Sequence, residues 1–459
     1  MALKGTELKS KLPEGGKKNC KECGLPTCFA FAMKVAKGDA EIDLCPHLAP
    51  EVIAEVKEAL TPPIALVTIG TGDNAIAVGQ EEVMYRHEKS FFREPAIAIL
   101  VSDKDSDAGI AGKLQQINEA VFERAQVILK PNLWALRFDS GDRGRFEQVV
   151  KQIHSASPLS AVIISEDLDA LFWARDYYRD RRPLVYPITA QNLEAALPKI
   201  KECPTVVGVR AEGVEKLIPL TETLKAQGLD QIVLDPSSKS LLGGIEDQTI
   251  IRRCALTKGM RSLGFPTLAF PGSMTADKIE EILYAGAFVA KYAGVVIISS
   301  AAKDLLYPLL IERMDIYSDP RKLRSVESKI YELNEPGADA PVLVSTNFAL
   351  TYFSVSNEVQ ASHIPSYLAV LDTGGFGVEP AMASGKFDGT AIAEFFKKTG
   401  LDQKVTPKRL ILPWVARRIK HELRDDLPEW EVFLGPKAIN QLPAFLQENA
   451  SEWGLKISG

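Results

Sequence analysis

Residues 161–210 read AVIISEDLDALFWARDYYRDRRPLVYPITAQNLEAALPKIKECPTVVGVR. Three short apolar runs, Ala161–Ser165, Leu184–Ile188 and Thr205–Val209, alternate here with amphipathic stretches long enough to form helices. Working outward, the same unit recurs at Ala96–Val101, Trp134–Phe138, Ile232–Leu234, Thr267–Phe270 and Val295–Ile298. Between the runs lie helical patterns such as Ile279, Ile282, Leu283 and Ala287, which share one face at the 3.6-residue period. Eight strand–helix units in roughly 250 residues are the footprint of a TIM (β/α)8 barrel. The barrel is expected over 61–320, with a doubly wound open sheet as the alternative for that region.

Beyond the barrel, 316–340 is rich in charge, Pro and Gly and reads as a linker. Four more apolar runs follow, Val342–Val344, Tyr367–Leu371, Leu410–Leu412 and Val432–Leu434, each with a turn and a helical pattern after it. A small open parallel α/β sheet is expected over 321–459. Ligands of such sheets bind beyond the carboxyl ends of the strands. Those ends carry Ser345–Thr346–Asn347, Asp372–Thr373–Gly374–Gly375–Phe376–Gly377, Pro413–Trp414 and Gly435–Pro436. Glycine allows close approach of backbone to a large planar or amide-bearing ligand. Thr and Asn hydrogen-bond such a ligand without adding charge. The plainer reading is a tight loop. At the barrel the corresponding ends carry Asp103, Asp139, Glu166, Asn192 and Asp235–Pro236–Ser237, where barrel enzymes place catalytic groups and many barrels keep only helix caps.

Upstream, four of the six cysteines fall at Cys20, Cys23, Cys28 and Cys45, with Pro46 after the last. Three close thiolates and a distant fourth suit a 4Fe–4S cubane, each iron taking one Cys. Gly24 and Pro26 let the backbone wrap tightly and aim N–H groups at the sulfurs. Structural zinc is the competing reading, although it more often shows two paired C-x-x-C knuckles; His47 could then contribute. Cys203 and Cys254 are isolated and read as inert thiols. Pro26 is expected to open a helix that stops at Gly38, and Pro50–Leu60 a second one. Pro62–Pro63 then reads as a linker, so the cluster domain is expected over 1–60.

The balance over 459 residues, 46% hydrophobic and 25% charged, is that of an ordinary globular protein. A net charge of −6 gives no reason to expect nucleic acid or an anionic membrane as partner. Lys4, Lys9, Lys11, Lys17, Lys18 and Lys21 form an early basic run, read as a solvated face or a docking surface. No apolar stretch approaches the ~20 residues that span a bilayer, and the N-terminus lacks a signal-peptide core. A cytoplasmic location is expected, where clustered cysteines indicate metal before disulfides.

The run KKNCKECGLPTCFAFAMKVAKG…CP resembles the cluster domain of corrinoid iron–sulfur proteins, specifically the large (gamma) subunit. STNFALTYFSVSNEV, LDTGGFGV, MASGKF and VFLGP are similar to the same subunit, and the likeness runs along essentially the whole chain. The related archaeal decarbonylase subunit has the same arrangement. The resemblance implies a cytoplasmic methyl-transfer component of carbon fixation by the reductive acetyl-CoA pathway, rather than a stand-alone enzyme. It implies a cobalt corrinoid in base-off form that takes methyl from methyltetrahydrofolate through a separate methyltransferase and delivers it to acetyl-CoA synthase. It further implies a heterodimer with a small subunit, and a 4Fe–4S cluster that reactivates cobalt with electrons from a reductive activator or ferredoxin. Carried over by motif, the cluster ligands are Cys20, Cys23, Cys28 and Cys45. The corrinoid matches are Thr346, Tyr352, Thr373, Gly374, Gly375, Phe376 and Gly435, with Asn347 and Thr351 beside them. The loop reads Thr-Gly-Gly-Phe where the family suggests Ser-Glu-Gly-Met, which shifts weight from side-chain to backbone contacts.

The chain has no D-x-H-x-x-G motif, the usual source of a cobalt-ligating histidine. Of its five histidines, His363 is expected nearest the crevice and is read as a strand-flanking surface residue. Two other functions compete. One is a ferredoxin-like redox subunit with a structural barrel; the other is a barrel methyltransferase binding the pterin directly at Asp139, Asn192 and Asp235.

Overall fold

The computed structural model describes residues 5–124, 127–203, 205–319 and 323–455. It divides into two compact units, 1–122 with 128–319, and 123–127 with 320–459.

In the first unit, helices Gly5–Lys11, Cys28–Lys37 and Pro50–Leu60 enclose a small core of Leu8, Leu12, Phe31, Val35, Ile42 and Val56. The middle helix starts two residues later than Pro26 suggests. Thr27 is its cap, accepting from the Ala30 N–H at 3.0 Å, and Gly38 ends it in the left-handed region at φ 80°. Pro50–Leu60 forms as expected, with Pro at its first position. The Pro62–Pro63 segment is tied down. Arg261 donates to the Thr61 and Pro62 carbonyls at 3.0 and 2.9 Å, and the Ala65 N–H donates to the Gly264 carbonyl at 2.9 Å.

Two strands that the apolar-run reading misses come next. β1 (Ile64–Ile69) and β2 (Ile76–Glu81) pair antiparallel, Ile64 opposite Glu81 and Ile69 opposite Ile76. Their Val67, Ile69 and Val78 pack with Ala96, Leu133 and Val295 inside the barrel. The Thr68 N–H bonds the Gln231 side chain just ahead of a barrel strand, and the Gly70 N–H bonds the Arg182 carbonyl ahead of another. The hairpin therefore floors the barrel at the amino ends of its strands.

The barrel is closed, parallel and eight-stranded. Its strands are β3 (Ala96–Ser102), β6 (Leu133–Arg137), β7 (Ala161–Ile164), β8 (Leu184–Ile188), β9 (Val206–Arg210), β10 (Ile232–Asp235), β11 (Thr267–Ala269) and β12 (Ala293–Ile298). A short two-stranded ribbon, β4 (Phe122–Arg124) and β5 (Val127–Leu129), interrupts the alternation. Every run expected from sequence is a strand, and the open-sheet alternative is excluded by closure of β12 on β3. The period of two decides the packing. Ile97, Ile99 and Val101 face the helices, whereas Ala96 and Ala98 face the interior.

The second unit is an open sheet in the order β13-β15-β14-β16-β17. β14 (Val342–Thr346), β15 (Ser366–Leu371), β16 (Arg409–Leu412) and β17 (Glu431–Leu434) are parallel, as the sequence suggests. β13 (Ile330–Leu333) is an antiparallel edge strand lying inside the segment read as a linker. The start of that segment is also not linker, because helix Lys303–Tyr317 runs into it. Helices cover both faces. Ile392 and Phe396 pack on one, Val359 and Leu446 on the other. Among the described residues no helix is long and apolar enough to cross a membrane.

Candidate functional site

The cysteine loop is shaped by three left-handed residues, Asn19 (φ 44°), Lys21 (φ 64°) and Gly24 (φ 79°). For Asn and Lys this conformation has to be held by the surroundings. Asn19 holds it by reaching across the loop. Its Oδ1 accepts from the Cys28 N–H at 2.8 Å, and its own N–H points at Cys28 Sγ at 3.3 Å. Cys45 arrives after a single 3₁₀ turn, Ile42–Leu44, and is 8% exposed. Burial pushes the Cys45 thiol up, the His47 N–H pulls it down, and the thiols of Cys23, Cys20 and Cys28 push it up again. The other three thiols therefore lie near enough to Cys45 to oppose its ionisation. A bound cationic centre reverses that opposition, so the donor set fits a metal cluster. Cys20, Glu22 and His47 also place ligand atoms within 4.8 Å of one another, the spacing of a single-ion site. Glu22 and His47 are engaged with each other there at 3.0 Å.

In the second unit the chain passes from β14 to β15 on one side and to β16 on the other, so the topological switch point lies between β14 and β16. Thr346 ends β14 at that point. It is fully buried, and its hydroxyl has no hydrogen-bond partner among the described residues; the Ser345 hydroxyl, 1% exposed, has none either. Buried orphan hydroxyls are costly unless something satisfies them.

Asn347, the next residue, is the hub of the glycine loop. Its Oδ1 accepts from the Thr373 N–H and the Gly375 N–H, each at 3.0 Å. Its amide donates to Asp372 at 3.0 Å, and Asp372 in turn accepts the Gly374 N–H at 2.9 Å. Thr373 donates to the Phe376 carbonyl at 2.8 Å. Gly374 (φ 70°) and Gly375 (φ 80°) adopt a conformation that side chains disfavour, and a Cβ on Gly375 would come within 2.9 Å of Leu323. Gly435 closes the group, its N–H on the Leu412 carbonyl at 2.9 Å.

Thr346, Asn347, Thr373–Phe376 and Gly435 thus gather at one edge, and Thr351 reaches the glycine loop, 4.0 Å from a Cβ built at Gly377. Tyr352 is turned toward packing, its ring 4.5 Å from that of Tyr331 on β13. Burial, then Tyr331, push its phenol up. His363 is exposed, as expected, but it follows helix Ala349–Ser362 and precedes β15. It therefore sits at the amino edge, and its expected nearness to the crevice is corrected. Apart from Phe376, the apolar rim of this edge escapes the sequence. Leu323, Leu350, Phe376, Val415 and Ile439 are the exposed large hydrophobics among the described residues of 323–455, and four of them follow strand ends. Helical or strand periodicity cannot reveal them because they lie in loops and first turns.

At the barrel mouth, Asp139, Glu166 and Asp235 line a cavity of about 750 Å³. Asp103 instead holds its own loop, accepting from the Asp139 and Ser140 N–H groups at 2.8 and 2.9 Å. Asn192 does likewise, accepting from the Thr189 N–H and donating to the Pro187 carbonyl.

Residues 66–446 match the family described as CO dehydrogenase/acetyl-CoA synthase delta subunit, and residues 16–47 match one described as a putative Fe-S cluster. The corrinoid/iron-sulfur protein large subunit of Moorella thermoacetica is 40% identical over 451 residues, covering 98% of this chain and 99% of that protein. The acetyl-CoA decarbonylase/synthase complex subunit gamma of Methanopyrus kandleri is 34% identical over 94% of this chain and 95% of its own length. Its counterpart in Methanothermobacter thermautotrophicus is 30% identical over 95% and 97%.

Proposed function

Since the chain belongs to the family of corrinoid iron–sulfur protein large subunits, we propose that it carries methyl groups on a cobalt corrinoid. The corrinoid sits in the C-terminal crevice, and a 4Fe–4S cluster sits on Cys20, Cys23, Cys28 and Cys45. When bound, the corrinoid supplies the cobalt nucleophile for methyl transfer, and the cluster supplies an electron to recover oxidised cobalt.

The observation that carries this reading is the pair of orphaned buried hydroxyls on Ser345 and Thr346 at the switch point. They can donate to the amides at the edge of a corrin ring. Gly374, Gly375 and Gly435 let backbone approach that ring, and Asn347 holds the loop in shape. The apolar rim of Leu350, Phe376 and Val415 covers a macrocycle's face and excludes water. None of the edge loops 346–350, 372–377, 413–415 and 435–438 contains a histidine, so none of them supplies a cobalt-ligating imidazole. The functional segments are then 1–60 for the cluster, 61–320 for the barrel and 321–459 for the corrinoid. The protein acts as a methyl-transfer component in a heterodimer with a small subunit. It takes methyl from methyltetrahydrofolate through a methyltransferase, delivers it to acetyl-CoA synthase, and draws electrons from a reductive activator or ferredoxin.

Purified protein assayed together for iron, sulfide and cobalt tests the proposal. About four irons and about one cobalt per heterodimer are expected, with a visible corrinoid spectrum. Iron without cobalt would sink the carrier reading and leave a redox subunit.

A further inference from the structure

The early lysines have no part in that reading. Lys11 pairs with Glu55 at 2.6 Å, whereas Lys9, Lys17, Lys18 and Lys21 make no ion pair among the described residues. Lys17, Lys18 and Lys21 are exposed, and Lys21 stands between two of the cysteines. The fold gathers these cations beside the cysteine loop. The Lys9 side chain lies directly against Gly16, and its ammonium sits 5.8 Å from the centre of the Phe29 ring. Asn19 donates to the Lys17 carbonyl at 3.1 Å and accepts from the Cys28 N–H at 2.8 Å. Residues 17–21 therefore run beside the start of the helix that carries Phe29.

Phe29 is an unspent apolar group. Its helix, Cys28–Lys37, buries Phe31, Ala32 and Val35. That stripe is complete without Phe29, which directly follows a cysteine of the loop and is left 46% exposed. Leu44, directly before Cys45, is exposed as well. A single exposed apolar side chain is ordinary. Here each one adjoins a cysteine of the cluster site, and Phe29 lies under a lysine.

Charge sets the partner. Between residues 17 and 29 the chain carries Lys17, Lys18 and Lys21 against a single acid, Glu22, which is engaged with His47 at 3.0 Å. The chain as a whole has a net charge of −6. A positive face on a negative protein orients an acidic partner toward that face and speeds its arrival. Electron-transfer encounters are among the smallest protein interfaces, so a few cations around one apolar contact suffice.

We propose that Lys9, Lys17, Lys18, Lys21 and Phe29 form the docking face for a small acidic one-electron-transfer protein. The proposal rests on the 4Fe–4S reading of the four cysteines. One electron passes from the reduced partner to the cluster; the partner is oxidised, the cluster is reduced, and no bond or proton moves. The lysines bring the partner in, and Phe29 supplies the dry contact at the centre.

The purified full-length protein is tested with an acidic bacterial ferredoxin as the probe. Carbodiimide joins amines to carboxylates in contact, and mass spectrometry of the product should place the joins at Lys17, Lys18 or Lys21. Raising the salt should weaken binding severalfold in titration calorimetry. Lys17→Gln with Lys18→Gln should weaken it about fivefold at low salt and flatten the salt dependence. With reduced ferredoxin as donor, the cluster's electron paramagnetic resonance signal should appear correspondingly more slowly in this variant. Its midpoint potential and its reduction by dithionite should match those of the native protein. The proposal is overturned if the joins fall on other lysines, or if the double variant binds and is reduced as well as the native protein. A potential shifted enough to account for the slower reduction also overturns it, since the lysines would then tune the cluster rather than dock a partner. Cross-linking is read on the unaltered protein, so a misfolded variant leaves the proposal open to refutation. Protein without iron would end the cluster reading and this proposal with it, whereas iron-replete protein that fails these tests ends this proposal alone.

Discussion

A Cβ placed on Gly435 meets nothing closer than 3.5 Å, and its backbone is not left-handed. The fold therefore tolerates alanine there, and only an incoming ligand would object. Gly435→Ala should leave stability within about 0.5 kcal/mol while cutting cobalt content severalfold, measured by denaturation and metal analysis on one sample. Arg252 makes the contrasting case. It is 2% exposed, paired with Glu81 of the hairpin, bonded to the Val83 and Met84 carbonyls, and stacked 4.3 Å from the Tyr292 ring. Burial pushes Glu81 up while Arg252 pulls it down. Arg252→Met leaves that carboxylate buried without its cation and should cost about 3–5 kcal/mol in urea unfolding. Adding Glu81→Gln should recover part of the loss. An unchanged midpoint in the single variant would contradict the assignment.

At the scale of elements, the cysteine loop links local conformation to redox chemistry. Asn19 holds its own left-handed turn through the Cys28 N–H and thereby aims a second N–H at Cys28 Sγ. Asn19→Ala loosens that aim, and N–H groups directed at cluster sulfurs raise reduction potential. The variant's cluster should be reduced at a more negative potential, read by titration of its electron paramagnetic resonance signal; a higher or equal value would refute the link. Which elements the sequence disclosed follows the same physics. Barrel strands such as Ala293–Ile298 are buried on both faces, and their uninterrupted apolar letters announce them. β1, with the letters IALVTI, is as apolar as a barrel strand and was legible, whereas β2 hides because only its Val78 and Gly79 are buried. β13 hid in the same way, with only Leu333 buried. The crevice glycines were legible because their chemistry is carried in residue type. The orphaned state of Ser345 and Thr346 was not, because it depends on what surrounds them.

For the whole molecule, the proposed carrier role requires the corrinoid segment to meet more than one partner. Inter-unit motion is then part of the cycle, and a covalent cross-link between 320–459 and the rest should abolish methyl transfer while leaving cobalt and iron content intact. Unimpaired transfer by the linked protein would refute the need for motion. The floor of the barrel carries a consequence of another kind. Its Thr68 N–H waits for an acceptor on Gln231, 163 residues farther along the chain. On the ribosome the hairpin is made before any barrel strand exists, so it emerges with its apolar face uncovered and is seated only when synthesis is far advanced. Contacts of such sequence separation close slowly. The sealing of the barrel is thus a late event in biogenesis, and the nascent chain spends its longest exposed interval with Val67, Ile69 and Val78 as the surface for a chaperone to shield.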